Sequence, residues 1–272
     1  MAEGHRERVL ERFGISGFAG MSEAHILEML LFYSIPRRDT RPIADELLKR
    51  FGSLSNVLKA DQNALQTVPG VGKHSAVLIK MTLELTQYIL TNSFKNRSNK
   101  IQLATATDAC KYALALTMKD TCEHARLIML DSLSRVLNTV VLSSGSMNSV
   151  IFDLRAVVHN SMNNGAHGII IVHNHPSGIP IPSGSDNALT AEAKRICEPL
   201  DIKLCDHLIV ADEAVYSSFL NRIVFMPNLT TSHTLTPDEY FERAQVVVPN
   251  YAYKQNADGS LNGYPSGLSP LS

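Results

Sequence analysis

Two imidazoles, a hydroxyl and a carboxylate fall within one short stretch of this chain, His173-Asn-His-Pro-Ser-Gly-Ile-Pro-Ile-Pro-Ser-Gly-Ser-Asp186. His173 and His175 stand at the end of the apolar run Gly168-Ile-Ile-Ile-Val172, whose β-branched content and short length predict a buried strand. Side chains at i and i+2 on a strand share a face, so both rings can reach one ion. Asp186 opens a helix predicted over residues 185–193, where its carboxylate can fold back on the strand end. Two His and one Asp make three protein ligands, the number a catalytic zinc site uses when it keeps a fourth position for water. Ser183 stands where its hydroxyl can bond that water or a developing oxyanion. Pro176, Gly178, Pro180 and Pro182 stiffen or turn the loop between the ligands. The expectation is one zinc per chain, held by His173, His175 and Asp186, at a site for hydrolysis.

The elements that carry these side chains alternate. A helix is predicted over residues 107–118, strands near 125–131 and 136–142, a helix over 154–163, then the histidine strand, the Asp186 helix and a strand through 203–210. Such alternation predicts an α/β domain with a mixed sheet, its site at an open strand end. Asp131 ends the apolar run Leu127-Ile-Met-Leu130, a position from which an acid can face the metal; equally it can start the turn Asp131-Ser-Leu-Ser134. His207 reads as a hydrogen-bonded core residue rather than a fourth ligand.

Residues 5–92 carry helical spacing throughout, with Ser22 and Thr40 as N-caps and Gly52 as a stop. Within them Thr67-Val-Pro-Gly70-Val-Gly72-Lys73 has the helix-hairpin-helix pattern: Gly70 and Gly72 let the backbone approach a phosphate, helix amides point at it, and Lys73, with Lys80 nearby, adds charge. Contacts of this kind would grip DNA, or another nucleic acid, by its backbone; a purely structural turn is the alternative. The polar, basic stretch 93–103 is the domain boundary, giving a helical domain over 1–95, a metal-binding α/β domain over 101–222, and a C-terminal extension over 223–272 that is partly flexible.

Composition sets limits. The chain has 272 residues, 44% of them hydrophobic, enough for a core in each of two domains. No apolar run approaches the ~20 residues that span a bilayer, and the N-terminus has no apolar signal core. Cys110, Cys122, Cys197 and Cys205 lack Cys-x-x-Cys spacing and read as reduced thiols, so a cytoplasmic location without a membrane partner is expected. The formal net charge of -1 hides an uneven split, +4 over residues 1–100 and -5 over 101–272.

The spacing His-x-His, seven residues, Ser, two residues, Asp resembles the JAMM (MPN+) metallohydrolases, and His173-Asn-His-Pro-Ser-Gly178 followed by Pro182-Ser183 resembles the RadC family. Phe51-Gly-Ser-Leu54, the hairpin at Val68 to Gly72, and Asp206-His-Leu-Ile-Val210 extend the likeness over roughly residues 20 to 220. The resemblance implies a JAMM/MPN-like, cytidine-deaminase-like layered domain behind a small all-α domain. It makes His173, His175 and Asp186 the metal ligands and Ser183 the hydroxyl beside the bound water. It further implies a zinc metallopeptidase that acts on a protein or peptide, linked to DNA repair or DNA metabolism. JAMM enzymes also use an early-strand glutamate as general base. Here Ala156 replaces the acid of the usual upstream segment, and no glutamate lies between Glu123 and Glu192, which leaves Asp131 as the candidate. The base is therefore read as absent or displaced, and a catalytically weak, DNA-associated scaffold with a structural metal stands as the alternative.

Overall fold

The computed structural model describes residues 4–145, 153–227, 231–244, 254–255 and 261–262. The chain divides into two compact units, Met1–Tyr88 and Ile89–Ser272. Among the described residues no helix is long and apolar enough to cross a membrane.

The first unit is built from α1 (His5–Ser16), α2 (Glu23–Phe32), α3 (Arg41–Phe51), α4 (Leu54–Lys59), α5 (Gln62–Gln66) and α6 (Lys73–Asn92), whose last turn passes into the second unit. Leu27, Leu31, Leu47, Val57, Leu65 and Ile79 are fully buried and close one core. Ser22 caps α2 by accepting the His25 N–H, and Gly52 ends α3 at φ +87°, a conformation that suits glycine. Thr40 departs from its predicted role: its hydroxyl donates to the Glu28 carbonyl instead of capping α3, because the side chain is buried against α2.

The second unit contains α7 (Ala106–Thr117), β1 (Glu123–Leu130), β2 (Val136–Gly145), α8 (Leu154–Asn163), β3 (Gly168–Asn174), α9 (Gly184–Cys197), β4 (Lys203–Ala211), β5 (Ala214–Ser217), β6 (Arg222–Phe225), β7 (His233–Leu235) and α10 (Pro237–Ala244). The seven strands form one sheet in the order β2-β1-β3-β4-β5-β6-β7. Only β3 and β4 run parallel, joined by the crossover helix α9, so the sheet is mixed as predicted. Alternation along each strand sorts the apolar residues between two faces. Ile128, Ile170, Val172, Leu208 and Val210 pack on α7, while Leu127, Met129, Ile169 and Ile171 pack with Val157 of α8 and Ala193 of α9. Ile209 and Ile223 continue that second face under Tyr240 of α10. The sheet thus runs past residue 222, where the sequence pattern weakens, since β6 and β7 belong to it and Tyr240 of α10 packs on it. The flexible tail expected for the last ~25 residues falls largely outside the described residues.

Candidate metal centre

His173 lies on the α8/α9 face of the sheet, in line with Ile169 and Ile171, and is 2% exposed. His175 follows β3 by one residue, and its N–H continues the β3–β4 ladder by donating to the Val210 carbonyl at 2.7 Å. The loop then turns at Gly178, where φ is +79°, a dihedral that calls for glycine. Ile181 buries itself beside Ile209 and brings the chain back to Ser183, the N-cap of α9. There a capping box closes: Ser183 Oγ accepts the Asp186 N–H at 3.2 Å, and Asp186 Oδ2 accepts the Ser183 N–H at 2.6 Å. The Ser183 hydroxyl also donates to Asp186 Oδ2 at 2.6 Å. Asp186 is thereby locked with Oδ1 3.3 Å from His173 Nε2 and Oδ2 3.7 Å from His175 Nε2.

The partners of the rings assign their protons. Thr190 Oγ1 donates to the Asp186 carbonyl at 2.7 Å, so towards His207 Nδ1, 2.6 Å away, it acts as acceptor. His207 then carries its proton on Nδ1 and offers the Nε2 lone pair to His173 Nδ1–H at 2.9 Å. His175 Nδ1 faces the Ile179 carbonyl at 2.9 Å, which can only accept. Both rings are left with bare Nε2 lone pairs, and these two atoms are 2.9 Å apart. Two lone pairs at that distance repel unless a positive charge lies between them, so the donor set fits a divalent cation. His207 is the hydrogen-bonded core residue that the sequence predicts, and it orients His173.

The electrostatics agree. Burial, together with the neighbouring His207 and His175, holds His173 well below the usual histidine pKa. His207 is lowered to about 4, by burial first, with Asp186 opposing and His175 adding to the fall. Neutral rings are the form a metal needs.

A fourth group joins them. Glu123, His173 and His175 each offer a ligand-type atom, and these atoms lie within 4.8 Å of one another. Glu123 opens β1 on the same face as Ala125 and Leu127, and Ala125 pairs with His173. Burial pushes the Glu123 carboxyl pKa up, with His175 opposing this and Asp186 adding to it.

Residues 103–223 match the family described as RadC-like JAB domain, a stretch that contains Glu123, both histidines, Ser183 and Asp186. The UPF0758 protein FN0909 of Fusobacterium nucleatum subsp. nucleatum is 36% identical over 222 residues, covering 80% of this chain and 95% of that relative. The chain belongs to the RadC family. Its second unit is accordingly a JAB/MPN-like domain with a metallohydrolase-like fold, and its His/Glu cluster has the makings of a metal site.

Two expectations are corrected within this RadC domain. Asp131 does not reach the histidines: it lies beyond Leu130, which pairs with Gly168 at the far end of β3, roughly 25 Å of strand from Glu123. Its carboxylate accepts the Leu133 and Arg135 N–H groups at 2.9 Å each and the Arg135 Nε–H at 2.6 Å, and these bonds hold its pKa low. Asp131 makes a turn. The early-strand glutamate is not missing either, because Glu123 stands at the site. The strand predicted near 125–131 starts earlier, at Glu123, so the glutamate lies on β1 itself. Continuing the alternation Leu127, Ala125, Glu123 backwards by one step is the signal that finds it. Ala156, in α8, is not needed for that role.

In the first unit Val68 and Val71 are buried, at 1% and 5% exposure, and pin the hairpin between α5 and α6. Gly70 has φ +93°, and a Cβ there would stand 2.8 Å from Ile43 Cδ1. Gly72 has an ordinary dihedral and open space around its Cβ position. Lys73 opens α6 and is exposed. Lys80 instead turns back to the C-terminal end of α4, donating to the Leu58 and Lys59 carbonyls at 3.3 and 3.2 Å, and so adds nothing to the hairpin surface.

Proposed function

We propose that this protein is a zinc-dependent hydrolase of amide or isopeptide bonds in a protein or peptide, coupled to a helical module that holds DNA by its backbone. The observation that carries the hydrolase reading is the pair of bare Nε2 atoms 2.9 Å apart, with Asp186 and Glu123 converging on them. His173, His175 and Asp186 would hold the zinc, and Ser183 holds Asp186. When bound, zinc supplies Lewis acidity and an acidified water as nucleophile. Glu123, whose carboxyl pKa burial raises, would take a proton from the nucleophile and return it to the leaving nitrogen. The presence of Glu123 beside the histidines supports this reading over a weak or inactive scaffold with a structural metal.

The nucleic-acid reading rests on Gly72. Neither dihedral nor packing requires a glycine there, whereas close approach of a phosphate to the backbone would.

Metal analysis of the purified chain is expected to give about one zinc, lost in His173→Ala. Glu123→Gln should keep the zinc and lose about 10²- to 10⁴-fold in turnover of a fluorogenic isopeptide, while Asp131→Asn turns over normally. A folded wild type without metal ends the hydrolase reading, and full turnover in Glu123→Gln ends the assignment of the base.

A further inference from the structure

Asn174 stands between the two convergent histidines, 8% exposed. Backbone pairing between β1 and β3 runs only as far as Ala125 opposite His173. One step further the Asn174 side chain takes over: Oδ1 accepts the His124 N–H at 2.9 Å, and Nδ2 donates to the Cys122 carbonyl at 2.9 Å. A primary amide carries the same donor and acceptor as a peptide unit, so this side chain adds a rung where the backbone ladder has stopped. The groups it grips are the C=O before Glu123 and the N–H after it, the two peptide units that flank the Glu123 Cα.

Strand ends fray, and Glu123 is the first residue of its strand. On the β2 side it pairs with Gly145. On the β3 side the described contacts to its flanking peptides come from Asn174. We propose that Asn174 is the positioning residue for Glu123, fixing the carboxylate over the histidines from the strand that carries them. Metal-facing rings and proton-transfer group are thereby set by adjacent residues of one strand, and a shift of β3 moves them together. This inference rests on the reading of Glu123 as general base.

The chemistry at position 174 is narrow. Alanine loses both bonds; aspartate keeps the shape and the acceptor but sets a carboxylate oxygen against the Cys122 carbonyl, and repels it.

The test uses the full-length chain with Asn174→Ala and Asn174→Asp, each loaded with zinc or with Co²⁺. Metal stoichiometry and the Co²⁺ visible spectrum should match wild type, since the three proposed ligands are untouched. Amide exchange of His124, followed by NMR, should quicken about tenfold or more in Asn174→Ala and stay protected in Asn174→Asp. With a fluorogenic isopeptide, kcat should fall about tenfold to a hundredfold in both variants at unchanged KM. Added to Glu123→Gln, Asn174→Ala should cost nothing more, because the group it positions is already disabled; a general structural role predicts an additive loss. Additive losses, or unchanged His124 exchange in Asn174→Ala, overturn the proposal. Should wild type show no turnover, the hydrolase reading falls, and the exchange data still decide whether Asn174 holds the Glu123 segment. If Asn174→Ala fails to fold, Asn174→Asp carries the kinetic arms.

Discussion

A histidine gives a metal its lone pair only from the nitrogen without the proton, so the groups behind the ring decide what it offers in front. Here the decision runs back through His207 to Thr190 and the Asp186 carbonyl, and through His175 to the Ile179 carbonyl. Asp186 thus acts twice, its side chain facing His173 and His175 and its backbone carbonyl starting the chain that sets the tautomers of His207 and His173. The same burial makes stability pH-dependent. His173 and His207 are held below their unfolded pKa of about 6.5. The unfolded chain therefore binds protons first as pH falls through about 6.5, and stability is lost down to the folded-state value, about 4 for His207, below which the loss levels off. Metal-free protein is expected to lose a few kcal/mol over that window, measured by urea unfolding at stepped pH, with a shallower slope in His207→Gln. A slope in His207→Gln equal to that of wild type would contradict the buried neutral rings, since Glu123 and Asp206, raised by burial, oppose the histidines equally in both proteins.

Elements fix where such residues meet, and the hairpin of the first unit shows how two glycines separated by a single residue can have different reasons. At Gly70 an alanine has to adopt φ +93° and displace Ile43, so Gly70→Ala is expected to cost about 1–3 kcal/mol. At Gly72 an alanine fits, so thermal stability should hold within about 0.5 kcal/mol while affinity for duplex DNA falls. Calorimetry beside a DNA titration separates them, and unchanged DNA affinity in Gly72→Ala would remove the phosphate reading there. Local pattern sufficed for what is periodic or adjacent: the helical unit, the mixed sheet, and the placing of His173, His175 and Asp186 within one strand-loop-helix stretch. It failed where a contact crosses between strands. Glu123 and His173 lie fifty residues apart, and nothing in either segment states that Ala125 faces His173. Lys80 shows the same limit: it is near the hairpin in sequence, but its ammonium group reaches the end of α4. The weak apolar signal after Phe219 likewise hid β6 and β7, which are four and three residues long and draw their order from the sheet beside them.

For the whole molecule, the uneven charge becomes an argument about division of labour. Residues 1–100 carry +4 and residues 101–272 carry -5, so DNA attraction is expected to reside in the helical part, with the acidic remainder opposing unspecific adhesion elsewhere. A backbone grip through Lys73 has a definite salt signature, because each neutralised phosphate releases condensed counterions and steepens the fall of affinity with salt. Lys73→Glu should weaken binding to unrelated duplexes by similar factors and reduce the slope of log affinity against log salt by about 1. Zinc content should not change, since Lys73 and the histidines belong to separate compact units. The reciprocal variant, His173→Ala, should lose zinc and turnover while keeping the DNA affinity and salt slope of wild type. Fluorescence anisotropy on two duplexes of different sequence, each at several salt concentrations, reads both variants in one experiment. An unaltered slope in Lys73→Glu would take the helical unit out of DNA binding, whereas DNA affinity lost in His173→Ala would mean that the two units do not work independently.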